Sequence, residues 1–185
     1  MRVVSKSREA IERLERIMNY KDDEFYCYRV RGFDMEGEIE GDGVLFRADF
    51  YCDSAWCSGD WFTDFDSPET KIVVGYERDD SGNYISTKPI FGKAHYTSVT
   101  HLCRMLGLGV EMWSTEPGMC FAEHAGCDHN GVHFYETEDY TEEYPEDKDG
   151  KVLYECQPTV RCGFGDKFGK WRTTGEIYGD EEAAE

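Results

Sequence analysis

Ile11, Leu14, Ile17 and Met18 recur at intervals of three and four residues, the spacing that lines up one face of an α-helix. With Ser5 or Ser7 as N-cap, the pattern predicts an amphipathic helix over residues 5–19. From residue 24 the period changes to two. EFYCYRVR (24–31), DMEGEIEGD (34–42), GVLFRADFYC (43–52) and KIVVGYE (71–77) read as strands, and the turn signals Arg31-Gly32, Gly41-Asp42-Gly43 and Asp80-Ser81-Gly82-Asn83 suit an antiparallel meander. Residues 54–65 show no assignable period. A second helix is expected over 97–106, where Val99, Leu102, Cys103 and Leu106 share a face between a Thr97 or Ser98 cap and a Gly107 stop. Beyond it, VEMWS (110–114), MCFAEH (119–124), VHFYETEDY (132–140), KVLYEC (151–156) and KWRTTGEIY (170–178) read as strands again, with an acidic hairpin loop at 141–150 closing on Asp149-Gly150. The expectation is an α+β fold, mainly antiparallel β-sheet with an N-terminal helix and one central helix. At 185 residues it reads as a single domain (1–185), with two lobes (1–90 and 110–180) joined around the central helix at 97–106.

Composition changes this picture in two ways. Leu, Ile, Val and Phe make up about 19% of the chain, at the edge of the disorder range when net charge is high. Aromatic residues at 15% supply the missing apolar area, because each ring buries on the order of 150–250 Å². The charge is lopsided: 39 Asp and Glu against 20 Lys and Arg give a net −19, and since residues 1–21 carry +3, the rest carries −22. Repulsion of that size argues against direct binding to nucleic acid or to an anionic membrane. Met1–Arg8 has no apolar core of a signal peptide, and no run approaches the roughly 18 apolar residues of a membrane span. The eight cysteines are therefore expected as reduced thiols in a cytoplasm.

Three constellations carry candidate chemistry. Asp34, Glu36, Glu38, Glu40 and Asp42 occupy every second position, so in a strand their carboxylates share a face at about 6.6 Å intervals, comparable to the through-space spacing of nucleic-acid phosphates. Such a row either binds a cationic partner or guards a sheet edge against pairing. A second acidic block, with Glu136, Glu138, Asp139, Glu142 and Glu143 interleaved with Tyr140 and Tyr144, reads as a docking surface for an Arg-rich groove. Asp147-Lys148-Asp149-Gly150 is read as a hairpin turn, because the calcium-loop ligand pattern is missing. Cys120, His124, Cys127, His129 and His133 gather five candidate zinc ligands in fourteen residues, although their spacing matches no finger, and inward-packing cysteines beside a His-bearing turn explain them as well.

No hydrolase, phosphate-loop or dinucleotide signature is present; Gly163, Gly165 and Gly169 miss the dinucleotide spacing by one residue. No catalytic residue is assigned. In size, charge and the Asp34–Asp42 row, the chain resembles the acidic counter-defence proteins of phages and mobile elements, the anti-CRISPR and antirestriction inhibitors. The resemblance implies an inhibitor that mimics nucleic-acid phosphates in the basic groove of a bacterial defence nuclease, of Cas9 type or a restriction enzyme, in the host cytoplasm. The alternatives from the residues are a zinc-stabilised structural module and a hydrolase.

Overall fold

The structure, a computed structural model, describes residues 1–19, 21, 22, 24–27, 35, 37–41, 43–51, 62 and 69–180. In chain order its elements are β1 (Arg2–Ser5), α1 (Arg8–Met18), β2 (Phe25–Cys27), β3 (Ile39–Gly41), β4 (Phe46–Asp49), β5 (Glu69–Arg78), β6 (Tyr84–Thr97), α2 (Val99–Leu106), β7 (Leu108–Glu116), β8 (Phe121–Cys127), β9 (His133–Glu143), β10 (Thr159–Cys162) and α3 (Thr174–Tyr178). Both expected helices form. The Ser7 side chain caps α1 by accepting from Ala10 N–H, and Ser98 caps α2 through His101 N–H. Gly107 ends α2 in the left-handed region at φ 67°, which a side chain would resist.

Seven strands form one antiparallel sheet in the order β10-β9-β8-β7-β1-β4-β3, and β2-β6-β5 form a smaller one. The fold is α+β and mainly antiparallel, as expected. β1, β3 and β4 sit in the same sheet as β7–β10, so that sheet takes strands from both of the expected lobes. Period-two alternation sends Val3, Val110, Met112, Ala125 and Cys127 to one face, where Ile11, Leu14, Ile17 and Met18 of α1 and Leu102 and Cys103 of α2 complete the main core. The opposite face is covered by the C-terminal segment, whose Ile177 and Tyr178 pack on Val4. Gly109 permits this contact, since a Cβ there would collide with the Ile177 carbonyl.

Several expectations change. Residues 2–5 form a strand that four residues are too few to announce. Of residues 34–42 only Ile39–Gly41 are in a strand among the described residues; Asp34, Glu36 and Asp42 lie outside them, as do residues 28–31 of the first expected strand. Residues 84–97 form the longest strand, masked in the pattern by Pro89. KVLYEC (151–156) contributes a single bridge, Glu146 to Val152, and a turn. KWRTTGEIY (170–178) is not a strand: Thr173 and Glu176 form a capping box that starts α3, and Gly179 ends it at φ 92°.

Candidate functional site

The register of β7, β8 and β9 assembles the most developed polar group on the covered face. Trp113 faces His124 across the β7–β8 pair, and His124 faces Glu136 across β8–β9. The Trp113 and His124 rings stack with centroids 3.8 Å apart and planes 5° from parallel. Next to them Glu111 is fully buried. One carboxylate oxygen lies 2.7 Å from His124 Nε2, and the other accepts from the Arg172 backbone N–H at 3.2 Å and from Arg172 Nε at 3.3 Å. A carboxylate beside an imidazole accepts, so Nε2 carries the proton, and Nδ1 is left 3.7 Å from the Glu136 carboxylate. The buried charge is thus balanced by a guanidinium and an oriented histidine, the condition under which a carboxylate tolerates burial.

The loop after β10 closes over this group. Phe164 and Phe168 approach the Trp113 ring edge-on at 5.2 and 5.3 Å, and the Arg172 guanidinium lies 4.7 Å from the Phe134 ring centre. The Trp113 indole N–H is buried without an acceptor among the described residues, at a cost of about 1–3 kcal/mol. Between loop and sheet runs a cleft of about 810 Å³, lined by Trp113, His124, Phe164, Glu136 and Glu138, with Lys167 and Lys170 from the loop. Chemically the arrangement orients an imidazole and offers carboxylates beside aromatic walls. Sequence reasoning missed Glu111, Trp113 and Arg172; alternation in VEMWS placed Glu111 and Trp113 on one face and was the available signal.

The second acidic block divides between the two faces of β9. Glu136, Glu138, Tyr140 and Glu142 point to the cleft side, while Asp139 and Glu143 point to the other, where Arg161 Nη2 stands 3.5 Å from Glu143. Tyr140 is not the exposed anchor expected: it is buried, its hydroxyl donates to Glu142 at 2.7 Å, and its ring lies 6.3 Å from Phe168. Burial, followed by the Glu142 carboxylate, pushes its pKa up to about 12. Tyr144 is half-buried against Tyr154, at 5.3 Å.

In the first acidic row, Glu38 and Glu40 are exposed, and Glu40 accepts from Arg47 at 2.8 Å on the edge strand β3. The candidate zinc ligands do not converge. Cys120 stands exposed before β8 at φ 60°, and an extended strand puts Cys127 about 23 Å beyond it. His124 points to the cleft and Cys127 to the core, where the Cys103 thiol donates to the Cys127 carbonyl at 3.9 Å and the Cys127 thiol to the Asp128 carbonyl at 3.4 Å. The Cys103 thiol is pushed well up by burial, while the Cys127 thiol is lowered by the hydrogen bond from Cys103. His129 bonds the Tyr178 carbonyl and stacks on its ring, and His133 is exposed opposite Cys127. Among the described residues no three His, Cys, Asp or Glu side chains are placed to share an ion. The Asp147–Gly150 segment is a turn, as expected, with the Asp147 carboxylate accepting from the Asp149 and Lys151 N–H groups.

No protein-family model matches this chain, and neither a curated protein nor a solved structure matches it. Among the described residues no helix is long and apolar enough to cross a membrane.

Proposed function

We propose that this chain is an acidic protein inhibitor that sets the carboxylates around β9 into the basic, phosphate-binding groove of a bacterial defence nuclease, a Cas9-type effector or a restriction enzyme, in the host cytoplasm. The observation that supports this reading is how unevenly the carboxylates are neutralised. Over residues 133–149 there are eight acidic side chains and one basic one, Lys148. Among the described residues their ion pairs are Arg161 with Glu143 and, if the imidazole is protonated, His124 with Glu136. Elsewhere several carboxylates are matched: Asp49 with Arg2 and Arg47, Glu40 with Arg47, Asp22 and Glu24 with Arg13, Glu77 with Lys88. Alternate carboxylates on β9 are spaced at about 6.6 Å, a spacing a phosphate-binding groove accepts. The proposal moves the weight from Glu38 and Glu40 to Glu136, Glu138, Asp139, Glu142 and Glu143.

The test is affinity capture from a bacterial lysate on the immobilised chain, followed by elution with duplex DNA. A basic nuclease should be retained, released by DNA and by rising salt, and lost when Glu138, Asp139 and Glu143 are changed to Lys. Retention of no nucleic-acid-binding protein, or retention indifferent to DNA, sinks the proposal.

A further inference from the structure

Arg172 displays how this face of the sheet holds a cation. Its Nε is 3.3 Å from Glu111 and its guanidinium lies over the Phe134 ring at 4.7 Å, so a carboxylate and an aromatic face receive one guanidinium together. Further along the same face the same two chemistries recur. Glu136 and Glu138 project from β9 into the cleft beside Trp113 and Phe164, and among the described residues neither is within ion-pair distance of a Lys or Arg. The histidine that stands 3.7 Å from Glu136 is already engaged through its other nitrogen with Glu111.

We infer that this cleft receives an arginine side chain of the basic partner, with the guanidinium between Glu136 and Glu138 and beside the aromatic lining of the cleft. The inference rests on the reading of β9 as the partner surface and names the chemistry that surface recognises. Arginine fits better than lysine because a planar, weakly hydrated cation stacks on rings and bridges two carboxylates, whereas an ammonium does neither well. Lys167 and Lys170 line the same cleft without pairing with either carboxylate among the described residues. They repel the incoming cation, and their removal strengthens binding.

The experiment uses the full chain and a small probe, the blocked amino acid acetyl-arginine amide, followed by two-dimensional NMR. The Trp113 indole N–H is the reporter. Saturable shifts of that resonance and of the Gly163 amide are expected, with acetyl-lysine amide binding more weakly. Glu136→Gln with Glu138→Gln, both exposed and so harmless to folding, should weaken binding about tenfold, the scale of a lost charge-assisted contact. Lys167→Gln with Lys170→Gln should strengthen it. Glu9→Gln with Glu15→Gln on α1 changes the net charge equally and should leave it unaltered. Absence of saturable shifts, or equal weakening by the α1 pair, overturns the inference. Arginine binding without any captured nuclease overturns the inhibitor reading and leaves the cleft standing. A captured nuclease without arginine binding does the reverse.

Discussion

Replacing Glu111 by Ala would leave the His124 ring and the Arg172 guanidinium without the acceptor that holds both. Removing one partner of a buried charged group costs about 3–5 kcal/mol, and urea denaturation should show a loss of that order for Glu111→Ala. His124→Ala should cost less, because Arg172 continues to neutralise Glu111. Equal losses would mean that the stacking of His124 on Trp113, and not the carboxylate, carries the group. This residue-scale arrangement was only half legible beforehand. His124 drew notice as a candidate zinc ligand because histidines and cysteines crowd residues 120–133, but density along a chain says little about convergence when the chain is extended. In a strand, neighbours in sequence diverge to opposite faces, and the true partners of His124 come from the adjacent strands: Glu111 and the Trp113 ring on β7 and Glu136 on β9.

At the scale of elements, α3 holds the covering segment in place, and its five residues form a helix because of how they are capped. The Thr173 hydroxyl accepts from Glu176 N–H while the Glu176 carboxylate accepts from Thr173 N–H at 2.8 Å. Thr173→Ala should cost about 1 kcal/mol by thermal or chemical denaturation, with Thr173→Ser close to wild type. No loss would show that packing of Ile177 and Tyr178 alone fixes the helix. The cap was present in the sequence as Thr-x-x-Glu before Gly179, yet alternation over KWRTTGEIY outvoted it. Period-two patterns in short segments are weak against a capping box, whereas α1 and α2 were legible because capping and periodicity agreed there. β6 was lost for the opposite reason. Its Pro89, opposite Tyr76 of β5, removes a ladder donor and hides the strand in the sequence, and among the described residues β2 pairs only with residues 95–97.

On the scale of the whole molecule, stability against acid depends on carboxylates that the fold holds ionised. The Arg2 side chain, bonded at 2.7 Å, together with the charge of Arg47, lowers the Asp49 pKa below its ordinary 3.8 against the opposing effect of burial. A depressed carboxylate stabilises the fold fully above its unfolded value, and the contribution disappears as pH falls through the lower folded value. Stability of the wild type should therefore drop below pH 3.8 more steeply than that of Arg2→Gln, measured by urea midpoints along a pH series. Parallel profiles would assign acid sensitivity to other groups. Comparing the two chains cancels the relief of repulsion that protonation brings to a chain of net charge −19. That charge was the plainest message of the sequence. Its concentration around β9, against its pairing off near β3 and β4, required the register.

The position of β1 inside the seven-stranded sheet also sets a timetable. β1 pairs on one side with β4, but its other partner, Leu108–Glu111 of β7, is encoded roughly a hundred residues later; at about 5–20 residues per second a ribosome takes on the order of 5–20 s to supply it. Throughout that interval β1 has one edge open and Val3 and Val4 lack half their final neighbours, the condition in which nascent strands join the wrong chain. The carboxylates already emerging between residues 22 and 80 give neighbouring nascent chains on a polysome the same sign of charge, so the acidity that would serve a partner later also keeps siblings apart while the sheet waits for its centre.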